Sequence, residues 1–135
     1  MTTKTLSGHC LCGAVTYDVD FPFEGRIAHC HCKQCRRQAG SVALTWFTVK
    51  KPAFRLTGAP LSTFRSSDHG SRGFCGTCGT PITFQTSRFP DEVDVTLCSL
   101  REDQIMPADL NIHTESRLNW LKLDTHLPER RADDD

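Results

Sequence analysis

AHCHCKQCRRQAG, residues 28–40, sets three cysteines and two histidines within the seven positions from His29 to Cys35. Such crowding of soft ligands admits three readings: a bound metal, a disulfide, or a reactive thiol. The compartment is the first discriminator. The N-terminal stretch MTTKTLSG lacks the apolar run of a secretory signal. The most apolar segment, SVALTWFTV (41–49), is far shorter than a membrane span. A soluble, cytoplasmic protein with no membrane partner is therefore expected. Disulfides rarely persist in a reducing cytosol, so eight cysteines here favour metal binding or catalysis over four bridges.

The chain of 135 residues is long enough for one domain with a real hydrophobic core, so it needs no covalent staples merely to fold. Sixteen basic and sixteen acidic residues cancel. That balance, with no basic-aromatic strip, argues against a nucleic-acid partner. Outside residues 28–40 the chain reads as short strands between turns. AVTYDVD (14–20), LSTFRS (61–66) and VDVTLCSL (93–100) alternate apolar and polar residues. SVALTWFTV and PITFQT (81–86) are rich in β-branched and aromatic residues, and KKP, TGAP, DHGSRG and FPDE supply the turn signals between runs. Only CKQCRRQAG (32–40) reads as helix, about two turns ending at Gly40. The expected fold class is mainly β, a single domain over 1–135 built of antiparallel sheets. MTTK is expected to be loose, and the charged tail ERRADDD (129–135) to be frayed.

Seven cysteines fall in three groups. FCGTCGT carries Cys75 and Cys78 in a C-x-x-C knuckle, where a tight turn brings two sulfurs to one ion and Gly76 and Gly79 relieve the backbone. HCLCG carries Cys10 and Cys12, two residues apart and so on one side of an extended segment. A modest bend brings such sulfurs to the roughly 3.8 Å expected between ligands with Zn–S bonds of about 2.3 Å. Each pair is incomplete alone; together Cys10, Cys12, Cys75 and Cys78 make a closed structural zinc site. The third group, Cys30, Cys32 and Cys35, offers three thiolates and a vacant fourth position, the arrangement of catalytic zinc sites. Closure by His29 or His31 would make it a second structural site instead. A redox pair is a third reading, but the βαβ pattern expected around a thioredoxin-like motif is absent. Cys98, on the alternation of VDVTLCSL, is expected to be a buried, inert thiol without a role.

GHCLCGAVTY (8–17), HCHCKQCRRQAGS (29–41) and FCGTCGTPI (74–82) resemble, in that order, the glutathione-dependent formaldehyde-activating enzymes, a family that also contains centromere protein V. The resemblance runs from about Leu6 to Leu127. It implies a β-tent fold of packed antiparallel sheets and a structural zinc on Cys10, Cys12, Cys75 and Cys78. It also implies a second zinc, linked to activity, on Cys30, Cys32 and Cys35. The implied reaction is that of a carbon–sulfur lyase run in reverse, condensing glutathione with formaldehyde to S-hydroxymethylglutathione. There is one departure. Where the family often shows a His-Ile-aromatic run before a tryptophan, LNIHTESRLNW (110–120) has Asn111 at the histidine and His113 at the aromatic position. A different substrate is one reading; a packed strand ending in core Trp120 is the other.

Three thiolates leave a divalent ion with a net charge of about −1 by formal counting, a poor Lewis acid toward an aldehyde. Such a centre can still take a substrate thiol in its fourth position and remove its proton. The expected partners are therefore glutathione and a small electrophile. Arg36 and Arg37, directly after Cys35, suit the carboxylates of glutathione, although neighbouring residues of a short helix point to different faces. Lys33, Arg65 and Arg72 are weaker candidates. His69 is expected to be a loop histidine, and Trp46 and Phe47 core residues. The competing function is a zinc-stabilised, non-catalytic module that binds glutathione or another protein.

Overall fold

In the computed structural model, which describes residues 3–102 and 106–132, the chain forms two sheets. The smaller has the order β1-β2-β5, with β1 at Lys4–His9, β2 at Thr16–Phe21 and β5 at Phe54–Leu56. The larger is eight-stranded. From one edge it runs β11 (Glu129–Arg130), β10 (Leu110–Ile112), β3 (Ile27–Cys30), β4 (Leu44–Lys50), β9 (Glu92–Thr96), β8 (Pro81–Thr86), β7 (Gly70–Phe74) and β6 (Ser62–Arg65). The mainly β expectation holds, with one refinement: β10 pairs parallel to both β3 and β11, so the large sheet is mixed.

β4 shows why the sheets stack as they do. Period-2 alternation sends Phe47 and Val49 to one face and Leu44, Trp46 and Thr48 to the other. The first face meets Tyr17 and Val19 of the small sheet and Val15 just before β2, together with Val93, Val95 and Ile82, in the principal core. Each fully buried side chain of this set contributes about 1.5–3 kcal/mol. Phe23 stacks on Phe47 at 4.2 Å between ring centroids. The opposite face carries a smaller cluster of Trp46, Cys30 and Cys35, with Leu44, Phe84 and Ile112 against it. Trp46 and Phe47 are thus core residues, as expected, but of different clusters. The single helix, α1 (Lys33–Ala39), brings Cys35 onto this second face and ends at Gly40 in the left-handed conformation.

Several expectations are corrected. Cys98 is exposed in the 3-10 turn Leu97–Ser99 that follows β9, between the buried Leu97 and Ser99. Trp120 is 67% exposed, since the chain leaves β10 through a 3-10 turn at Thr114–Ser116 and runs on through surface turns. GSRG, taken as turn material, is strand β7; Gly73 serves there for close packing, since a Cβ would lie 2.3 Å from Thr83 Oγ1. Lys4 already belongs to β1, and Glu129 and Arg130 pair with β10 rather than fray. The rest of both expectations falls on residues 1–2 and 133–135, outside the described residues.

Candidate metal centres

The turn between β1 and β2 carries Cys10 and Cys12, and the turn between β7 and β8 carries Cys75 and Cys78. Their four sulfurs lie within 4.8 Å of one another, with Cys10–Cys12 at 3.6 Å and Cys12–Cys75 at 3.8 Å. These separations suit tetrahedral ligands to zinc and are far too long for a disulfide of about 2.05 Å; all eight cysteines are unbridged. Gly13 and Gly79, at φ 84° and 83°, close the two turns in a region that side chains with a Cβ rarely enter. Gly76 is needed for space rather than conformation, because a Cβ there would meet Ser62 Oγ at 2.5 Å.

Backbone N–H groups are aimed at these sulfurs. Val15 donates to Cys10 Sγ at 3.3 Å, and Thr77 and Cys78 each donate to Cys75 Sγ at 3.4 Å. The Thr80 hydroxyl, 3.2 Å from Cys78 Sγ, helps to hold that thiol down to about 5. Donors pointed at sulfur favour the thiolate form that a metal requires. The group joins the tip of a hairpin in the small sheet to the tip of one in the large sheet.

The second group lies on the other face of the large sheet. Cys30 ends β3, Cys32 caps α1 and Cys35 sits in its first turn; their sulfurs also lie within 4.8 Å of one another. Cys32 Sγ accepts the Cys35 N–H at 3.3 Å, taking the place that a serine or aspartate oxygen fills at most helix starts. Hydrogen bonds from the Cys30 and Cys35 thiols and from the Cys35 N–H hold the Cys32 thiol at about 2, despite partial burial. Cys30, donating to that thiolate, is pushed far up. Cys32 is also the least buried member of the trio.

Neither neighbouring histidine joins this group. His29 bridges Thr45 Oγ1 and Asp124 Oδ2, both at 2.7 Å. His31 is fully buried, and its Nε2 lies 2.7 Å from Asn111 Oδ1. The Asn111 amide donates to the carbonyls of Leu123 and Asp124, which leaves its oxygen toward His31 and assigns the imidazole proton to Nε2. Burial holds the His31 ring below the ordinary imidazole range, so it is neutral. Asn111, the position of departure from the family pattern, bonds to His31, which lies between Cys30 and Cys32 in the sequence.

Of the two adjacent arginines, Arg36 donates to the backbone oxygens of His31 and Ser116 and ties α1 to the turn after β10. Arg37 is exposed and engages no partner among the described residues. Lys33 and His69 are exposed, the latter in a loop, and Arg65 is bonded to the carbonyls of Ser67 and Asp68. The arginine that reaches the trio is Arg72 on β7, whose Nη1 lies 3.5 Å from Cys35 Sγ. In the sequence it is only one of three weaker basic candidates, and the DHGSRG stretch around it reads as a turn.

A family model described as "Glutathione-dependent formaldehyde-activating enzyme" matches residues 5–116. The chain belongs to this family. A Halomonas elongata protein described as a "Putative glutathione-dependent formaldehyde-activating enzyme" is 23% identical over 141 residues, spanning 93% of this chain and 85% of the relative. A crystal structure of a Rhodobacter sphaeroides protein superimposes with a TM-score of 0.61 at 20% identity, covering 93% of this chain and 99% of the other. That likeness concerns the fold alone. Among the described residues, no helix is long and apolar enough to cross a membrane.

Proposed function

We propose that this chain is a zinc-dependent enzyme of the carbon–sulfur lyase type that condenses glutathione with formaldehyde or a related small electrophile. The observation that carries the reading is the three-sulfur group of Cys30, Cys32 and Cys35, which no fourth side-chain ligand completes among the described residues. Four cysteines close a structural site, whereas three leave a position for an incoming sulfur. A zinc ion held there would supply an acceptor that lowers the pKa of a bound thiol. In the net reaction the thiol S–H breaks and an S–C bond forms at the carbonyl carbon. The C=O π pair moves onto oxygen, and the thiol proton ends there, giving S–CH2–OH.

The chain's own residues set where this happens. Cys32 is the edge of the trio nearest solvent, so a substrate sulfur approaches on that side. Arg36 is committed to two backbone carbonyls, so in this reading its contribution to a glutathione carboxylate is indirect, by fixing α1. Arg37, exposed on the same helix, is the direct partner for a carboxylate. Cys10, Cys12, Cys75 and Cys78 hold the structural zinc, and the whole chain acts as one domain in the cytoplasm, where glutathione is reduced.

The test is exchange NMR of formaldehyde-13C with glutathione. Catalysed formation of the hydroxymethyl adduct by the wild type, lost in Cys32→Ser with its circular dichroism unchanged, is the expected result. A wild-type rate equal to the uncatalysed rate would contradict the enzyme reading and favour a glutathione-binding module.

A further inference from the structure

Arg72 is only 5% exposed, yet no carboxylate pairs with it among the described residues. Its donors are spent on neutral groups: Nε on Ser66 Oγ at 3.1 Å, Nη1 on Gln38 Oε1 at 2.9 Å and Nη2 on Gln34 Oε1 at 3.4 Å. The guanidinium also lies 4.9 Å over the Phe84 ring. A buried cation without a compensating charge is costly, because desolvation is not repaid by a partner. The remaining contact is with the cysteine trio, where Nη1 meets Cys35 Sγ at 3.5 Å.

We propose that Arg72 is the counter-ion of the three-cysteine centre, a positioning residue that holds Cys35 and offsets the charge of the metal–thiolate assembly. The proposal rests on the reading that Cys30, Cys32 and Cys35 hold zinc. Three thiolates on a divalent cation carry a net single negative charge by formal counting. With Arg72 in contact, the assembly is neutral, and an incoming anionic sulfur joins it without first overcoming like-charge repulsion. Gln34 and Gln38, one helical turn apart on α1, present their amide oxygens to the guanidinium and orient it without competing for its charge. Arg72 thus acts as an outer-shell partner of the centre, reached from β7 rather than from the strand and helix that carry the cysteines.

Chelator competition on the zinc-loaded protein tests this. Outer-shell substitutions weaken metal affinity by about 10–100-fold, so Arg72→Gln is expected to lose one zinc per chain that much more readily. The zinc on Cys10, Cys12, Cys75 and Cys78 should be unaffected. Arg72→Lys, which keeps the charge but not the fork, should fall between it and the wild type. Gln38→Glu leaves Arg72 in place but gives it a competing carboxylate, and should move the release in the same direction. The sulfur-to-metal charge-transfer band of the cobalt-substituted centre should shift in both variants. Release curves and bands identical to the wild type in Arg72→Gln and Gln38→Glu would overturn the proposal. Should Arg72→Gln not fold, Gln38→Glu decides alone. A wild type holding one zinc only would instead sink the metal reading itself.

Discussion

Asp94 is a carboxylate placed where a carboxylate is disfavoured. It lies in a cross-strand row with Phe84 and Thr48, partly buried on β9, and the Thr48 hydroxyl donates to its Oδ1. Burial pushes its pKa up from 3.8 to about 6, against the pull of that hydrogen bond, with Glu92 adding repulsion. A raised folded-state pKa means that the stability it contributes is fully present below pH 3.8 and is lost as pH rises through about 6. The rise of roughly two units corresponds to at most about 3 kcal/mol, at 1.36 kcal/mol per unit. Asp94→Asn keeps the acceptor for Thr48 and removes the charge. At pH 7.5 the variant should therefore be more stable than the wild type by about 1–3 kcal/mol, or on the order of 5–10 °C in Tm. The advantage should vanish near pH 4. Thermal melts of both proteins from pH 4 to pH 8 provide the assay, and taking the difference cancels whatever the cysteine centres do in that range. A difference that is flat with pH, or that favours the wild type at pH 7.5, would refute the reasoning.

Cys75→Ser should abolish cooperative folding. Structural zinc contributes about 10–16 kcal/mol in small metallo-domains, at or above the 5–15 kcal/mol that holds most domains together. Circular dichroism with zinc analysis checks this, and a folded variant retaining both metals would count against the four-cysteine site. Asn111→Ala should cost about 1–3 kcal/mol in chemical denaturation, because it strips the acceptor from the buried His31 Nε2–H and the donor from two carbonyls. A loss below about 0.5 kcal/mol would show that water replaces the amide there.

Much of the fold and of both cysteine groups is legible in the sequence. The two cysteine pairs are legible because each turn is a local device, with the two sulfurs and the glycine after them inside five residues, and the trio because it spans only six. That the two pairs meet follows from each being an incomplete site alone. β8 and α1 were legible for the same reason, the one from its β-branched run and the other from its left-handed stop at Gly40. What failed depended on partners far along the chain. β7 is rich in glycine because Thr83 and Phe84 of β8 crowd it, and no local pattern distinguishes that from a turn. The surroundings of Arg72 are hidden for the same reason, since its neighbours Gln34, Gln38 and Cys35 lie more than thirty positions upstream. Cys98 lies in a 3-10 turn and Trp120 beyond another, where a strand pattern no longer says which side chains are covered. The parallel pairing of β10 with β3 comes from a long connection whose direction strand propensity does not encode.

Zinc per chain, measured on protein purified under reducing conditions and again after addition of glutathione, tests the two-centre reading most directly. Two zinc ions are expected, one of them released or re-coordinated by glutathione and the other unmoved. One zinc, indifferent to glutathione, would mean that Cys30, Cys32 and Cys35 hold no exchangeable metal, and the proposed chemistry would lose its site.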